Sequence, residues 1–221
     1  LTSLKRVEKI PVGIDAFVFR LVGRFKSRRS VIWHILRTAR KIDSLGRSLS
    51  EKSDAELKGR IEGLAALLKR PVKDSTLCEA FALMQEAAFR TMGYRPYVEQ
   101  IAGALCLYRG YIAEMSTGEG KTITAAMCAA VRGLSGMPCH VITANDYLAS
   151  RDAQIMKPLF DYCGLTVGAV TGAMKPEERR AGYAAAITYS TAKEVLADFL
   201  RDRIAMGKMQ NFSKRLLDRF S

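Results

Sequence analysis

The stretch that most constrains this chain is Tyr111-Ile-Ala-Glu-Met-Ser-Thr-Gly-Glu-Gly-Lys-Thr-Ile-Thr-Ala-Ala126, an apolar run, a glycine loop closing on Lys-Thr, and a small-residue helix. That order is the strand, turn and helix of a phosphate-binding loop. Polyphosphate needs several backbone N–H groups aimed inward, a lysine charge at its far end and a hydroxyl for Mg²⁺. Thr117, Gly118, Glu119 and Gly120 form the turn, Lys121 supplies the cation for the β- and γ-phosphates, and Thr122 supplies the magnesium ligand. Lys121 and Thr122 are therefore the candidate catalytic residues, and the free N–H groups of the helix that starts near Gly120 add a positive dipole end. The strict pattern G-x-x-x-x-G-K-[ST] wants glycine at position 115, where this chain has Met115. The competing interpretation is a glycine turn between a core strand and a core helix, with Lys121 merely solvated.

Two further segments bear on that loop. Gln100 lies one helix upstream, 21 positions before Lys121, and its amide offers the donor and acceptor that suit the N6/N7 edge of adenine. The second, Val141-Ile-Thr-Ala-Asn-Asp-Tyr-Leu-Ala-Ser-Arg-Asp152, reads as a buried strand opening into a helix that Asn145 or Asp146 caps. Arg151 there is a candidate for facing phosphate or polymer, or a plain surface arginine. Phosphoryl transfer to water also calls for a carboxylate on the magnesium ion and another to orient attack. No Asp-Glu pair follows an apolar strand here, and Asp198, Asp202 and Asp218 all follow helical sequence. The chain is expected to bind ATP and Mg²⁺ and to be poorly equipped to hydrolyse ATP alone.

The order of elements is helical first and mixed later. Helices are expected over Ser30 to Leu45, from a cap at Ser50 or Ser53 with Glu56 completing a capping box, and over Asp74 to Met92 before Gly93. After Gly93, apolar runs at 111–115, 139–143, 166–171 and 186–189 alternate with helical stretches at about 97–108, 121–134, 146–163, 176–185 and 191–206. Alternating β and α implies a parallel sheet flanked by helices, an α/β P-loop NTPase preceded by an α-helical segment. This divides the chain into a basic amphipathic segment 1–29, a helical segment 30–93, a partial nucleotide-binding domain 94–207 and a basic tail 208–221.

The formal charge of +13 is concentrated at the ends: residues 1–50 hold 12 Lys/Arg against 3 Asp/Glu, residues 201–221 hold 6 against 2, and the middle holds 17 of each. Basic ends suit an anionic partner. Residues 10–29 place Ile14, Phe17, Val18, Leu21, Val22 and Phe25 at helical spacing before a cation cluster, the profile of an interfacial helix or of an amphipathic helix packed on its own domain. No base-reading pattern accompanies them, so nucleic acid is the weaker candidate. Five cysteines without a C-x-x-C pair read as small core residues in a reducing compartment, and His34 and His140 do not suggest a metal centre.

With these residues in view, the chain resembles the amino-terminal part of the SecA preprotein translocase ATPase family. Glu114-Met-Ser-Thr-Gly-Glu-Gly-Lys-Thr122 is similar to that family's phosphate loop, methionine included, and Thr143-Ala-Asn-Asp-Tyr-Leu-Ala-Ser-Arg-Asp152 resembles its most specific motif. Leu159-Phe-Asp-Tyr-Cys-Gly-Leu-Thr-Val-Gly168, Ser53-Asp-Ala-Glu-Leu-Lys58, Glu79-Ala-Phe-Ala-Leu-Met-Gln-Glu-Ala87 and Arg95-Pro-Tyr-Val-Glu-Gln100 match in order, over roughly 36–206. The resemblance implies a RecA-like, DEAD-like fold, an adenine contact at Gln100, and phosphate and magnesium contacts from Gly118 through Thr122. It also implies a motor that couples ATP to preprotein translocation through a membrane channel, cytoplasmic and peripheral on the inner membrane, with acidic phospholipid on the amino-terminal helix and a homodimer left open. Ala186-Ile-Thr-Tyr-Ser-Thr-Ala-Lys193 departs from the family's Asp-Ile-Thr-Tyr-Gly-Thr-Asn-Asn. The chain begins with Leu1 and stops before the family's Asp-Glu strand, so a fragment is expected. The rivals are a non-hydrolysing, nucleotide-gated module that binds membrane or a partner, and an RNA helicase fragment, against which Asn145-Asp-Tyr-Leu-Ala149 argues.

Overall fold

The computed structural model describes residues 16–18, 21, 29–69 and 72–204. The tail 208–221 and nearly all of segment 1–29 lie outside them. Of the amphipathic stretch, residues 16–18 and 21 are helical, with Phe17, Val18 and Leu21 exposed.

Four helices come first. In α1 (Arg29–Ser48) the buried positions Ile35, Ala39, Ile42 and Gly46 recur every three or four residues, so one stripe faces inward. Helix α2 (Asp54–Leu68) starts at the capping box expected from its sequence: Ser53 Oγ accepts the Glu56 N–H at 3.3 Å, and Glu56 accepts the Ser53 N–H at 2.9 Å. Helix α3 (Asp74–Met92) is buried all round at its centre and ends where Gly93 takes a left-handed φ of 77°. Helix α4 (Val98–Tyr108) follows directly.

After α5 (Lys121–Leu134) the chain alternates β1 (Cys139–Thr143), α6 (Asp146–Tyr162), β2 (Val167–Ala169), α7 (Pro176–Tyr183) and β3 (Ile187–Thr191), with residues 192–204 helical. The three strands form a parallel sheet in the order β1-β3-β2, Cys139 and Val167 both standing beside Ile187. All five residues of the central β3 are buried, and its two faces go to different helices. Tyr189 meets Phe160 of α6 at 6.3 Å between ring centroids, while Thr188 Oγ1 donates to the Gly182 carbonyl of α7 at 2.9 Å. The α/β architecture expected from the sequence is present. The run 111–115, however, is in no strand: its side chains alternate between half-buried and exposed, Ile112 is 97% exposed, and no described strand pairs with it. A β ladder needs a neighbour, and alternation alone does not make one.

One hydrophobic cluster runs from Ile35 to Tyr189 with α3 at its centre. A polar pair interrupts α3. Gln85 and Glu86 are 0% and 1% exposed. Gln85 Nε2 donates to Asp43 Oδ1 of α1 at 2.7 Å and to the Pro96 carbonyl at 2.9 Å. Glu86 accepts from Arg90 Nε at 2.9 Å and from Arg95 at 2.6 Å. Arg90 also reaches the carbonyls of Leu49, Ser50 and Lys52 in the α1–α2 turn. A buried carboxylate costs free energy unless such partners surround it, and removing one side of a buried pair leaves charge uncompensated. Glu86→Ala is therefore expected to lower unfolding free energy by about 3 kcal/mol in chemical denaturation. Lys52→Ala, which breaks the exposed pair with Glu56, should change it by less than about 0.5 kcal/mol.

Candidate functional site

The sequence-derived candidates lie along two elements, α4 and the loop that enters α5. Gly118 and Gly120 have φ of 88° and 90°, a left-handed backbone open to glycine and strained for other residues. A Cβ on Gly120 would stand 2.2 Å from Gln100 Nε2, so this glycine is also the gap through which Gln100 reaches the loop. Gln100, 8% exposed, uses both ends of its amide on backbone: Oε1 accepts the Tyr97 N–H at 3.0 Å, and Nε2 donates to the Glu119 carbonyl at 2.8 Å. An amide has two N–H donors and two carbonyl lone pairs, so one of each is left over.

Gly120 is the N-cap of α5 and brings no side chain to the first-turn N–H groups, and that turn holds no acidic residue. Lys121 is exposed and Thr122 half-buried on that turn, while Thr117, Gly118 and Glu119 are exposed along the loop. First-turn donors without a side-chain cap, a positive helix end and the Lys121 side chain thus belong to one turn, a combination that suits a polyphosphate. Thr122 carries the hydroxyl that suits its magnesium ion.

Against this loop lies a cavity of about 530 Å³, walled by Ile32, Ile35 and Leu36 of α1, by Tyr97 and Cys106 around α4, and by Met115. Its volume suits a small organic ligand. Burial pushes the Cys106 thiol up from its ordinary value despite nearby Arg109, and Glu99, Glu114 and Glu119 also line the cavity. The contribution of α1 was legible only as spacing, since 32, 35 and 36 fall on one helical face. Tyr97, at the edge of the cavity, is 70% exposed.

The second motif is placed differently. Asn145 caps α6 by accepting the Leu148 N–H at 2.8 Å, whereas Asp146 accepts the Gly172 N–H at 2.7 Å and so ties α6 to the loop after β2. Arg151 is held by its neighbour Asp152 at 2.7 Å and lies over the Tyr147 ring, not in the loop. Asp198 is gripped by Arg179 and Tyr183. Burial alone would raise its pKa, but those hydrogen bonds outweigh burial and hold the carboxyl below the usual carboxylate range.

Comparison with known proteins gives a consistent picture. A family model described as the SecA DEAD-like domain matches residues 20–218. The chain is 41% identical over 198 residues to protein translocase subunit SecA 2 of Magnetococcus marinus, covering 89% of this chain and 30% of that protein. It is 38% identical over 212 residues to SecA 2 of Chlorobium chlorochromatii (95% and 32%), and 43% identical over 183 residues to SecA of Ectopseudomonas mendocina (82% and 20%). The chain thus spans between a fifth and a third of the length of these relatives.

The loop geometry ranks two substitutions. Gly118→Ala meets open space and suffers only the backbone strain of its positive φ, on the order of 1 kcal/mol. Gly120→Ala adds a collision with Gln100 to the same strain, so thermal unfolding should show the larger drop in Tm for Gly120→Ala. Equal drops would mean that Gln100 moves aside freely.

Proposed function

Since the chain belongs to the SecA family, matched through its DEAD-like domain, we propose that it cradles ATP for a motor that drives preproteins through a membrane channel. The observation that carries this reading is the 116–122 loop, with two left-handed glycines feeding an uncapped helix and Gln100 bonded to it. Thr117 to Thr122 hold the phosphate tail through backbone N–H groups and the Lys121 ammonium, and Thr122 holds magnesium through its hydroxyl. The spare N–H and lone pair of Gln100 meet the adenine edge, and the exposed Tyr97 ring offers the base a face. Bound Mg²⁺ supplies positive charge that neutralises the β- and γ-oxygens.

In the whole protein the partners are ATP, preproteins and the protein-conducting channel, with acidic phospholipid on the basic segment 1–29, and the site of action is the cytoplasmic face of the inner membrane. Residues 30–93 form a helical platform for the nucleotide-binding part 94–207, and 208–221 a basic tail. This stretch binds nucleotide without turning it over. Around the carboxyl end of the sheet three carboxylates are already engaged: Asp146 by the Gly172 N–H, Glu194 and Asp198 by Arg179. That engagement also favours a second reading, a nucleotide-gated binding module with no hydrolysis of its own.

Lys121→Ala is expected to weaken Mg-ATP binding more than tenfold in calorimetry, because a hydrogen bond between charged groups is worth roughly 1.5–3 kcal/mol, with the circular dichroism of the fold unchanged. Unchanged affinity would place the nucleotide elsewhere. Phosphate release by the 221-residue chain should stay at background, and brisk turnover would overturn the binding-only reading of this stretch. Flotation with vesicles rich in anionic lipid should carry the chain up, and deletion of 1–29 should abolish it.

A further inference from the structure

Glu119 sits in the middle of the loop with its side chain turned back into it. The Ser116 N–H donates to Glu119 Oε2 at 2.6 Å, and the Glu119 N–H returns a bond to the Ser116 carbonyl at 3.3 Å. The left-handed glycines on either side, Gly118 and Gly120, make that tight reversal accessible. Gln100 Nε2 holds the Glu119 carbonyl at 2.8 Å, so the backbone of this residue is pinned, while among the described residues its exposed carboxylate is anchored only at Ser116. Among the described residues no carboxylate pairs with Lys121.

We infer that the Glu119 carboxylate is a built-in competitor for the loop, an internal anion that an incoming phosphate tail must displace, and that it thereby sets the loop's preference for multiply charged tails. This rests on the proposed phosphate-binding role. A carboxylate offers the Ser116 N–H, the donor that adjoins the Thr117–Thr122 set, the same chemistry as a phosphate oxygen, a charged acceptor at hydrogen-bond distance. A singly charged or small anion gains little over it and is repelled by it. A di- or triphosphate brings more charge to the Lys121 ammonium and the α5 donors, and it wins the exchange. The freed carboxylate swings to solvent without moving the main chain, because Gln100 keeps hold of the carbonyl.

The test is titration calorimetry on the full chain with tripolyphosphate, inorganic phosphate and adenosine. Glu119→Gln keeps an acceptor for the Ser116 N–H and removes the charge. It should bind tripolyphosphate on the order of fivefold more tightly, the size expected for an exposed charge pair, and gain at least as much for inorganic phosphate, with adenosine unchanged. Glu119→Ala should gain likewise. If the carboxylate only shaped the turn, Glu119→Ala would lose affinity and Glu119→Gln would match the parent, which would overturn the inference. A gain for adenosine equal to that for tripolyphosphate would overturn it too, since competition for charge leaves an uncharged ligand untouched. If neither protein binds tripolyphosphate and Lys121→Ala changes nothing, the phosphate-loop reading itself has failed, a result distinct from a Glu119 effect of the wrong sign.

Discussion

The arrangement depends on two consecutive polar side chains buried in an otherwise apolar helix. Gln85 and Glu86 cannot stay in the core of α3 without partners, and besides Asp43 and Arg90 those partners are in the chain segment that leads into α4. Arg95 is drawn to Glu86 and the Pro96 carbonyl to Gln85, so the start of α4 is fixed from two sides. Tyr97 and Gln100 follow within one turn, and Gln100 then bonds the loop at Glu119. Helix α3 thus helps to determine where the loop's neighbour stands. Hydrogen bonds of this kind are worth little when exposed and much when desolvated, which is why their position inside α3 matters.

The first turn of α5 has no side-chain cap, and among the described residues Lys121 pairs with no carboxylate, while the Glu119 carboxylate folds back onto the Ser116 N–H. Elsewhere, carboxylates are spent on structure. Glu194 and Asp198 converge on Arg179, which is 7% exposed and also donates to the Thr171 carbonyl, so α7 and the helical residues 192–204 are locked over the end of the sheet. Asp146 anchors the adjoining loop. These three acids tie the sheet's end together.

What could be read from the sequence was what neighbouring residues decide among themselves. The Ser53–Glu56 box, the left-handed Gly93, the Asn145 cap and the glycine loop are all set within four or five residues, and each is visible in local order. The α/β alternation was equally plain. Hidden were the pairings across the chain. Gln85 and Glu86 look like ordinary helix polar residues until Asp43, Arg95 and Pro96 are placed around them. Ile32, Ile35 and Leu36 look like core until α4 and the loop leave a cavity beside them. The 111–115 run kept the alternation of a strand without the neighbour that makes one, and Arg151 found its own adjacent carboxylate.

Gly46 leaves α1 so close to α3 that a methyl group there would overlap the Gln85 side chain. That contact lies near one end of α1, and the cavity wall at Ile32 lies fourteen residues away, about 21 Å along a helix rising roughly 1.5 Å per residue. The helix is held along its length, since Ile35, Ala39 and Ile42 between those two points are buried as well. An added carbon at position 46 would therefore press on Gln85, the side chain whose bonds to Asp43 and to the Pro96 carbonyl fix the entry to α4.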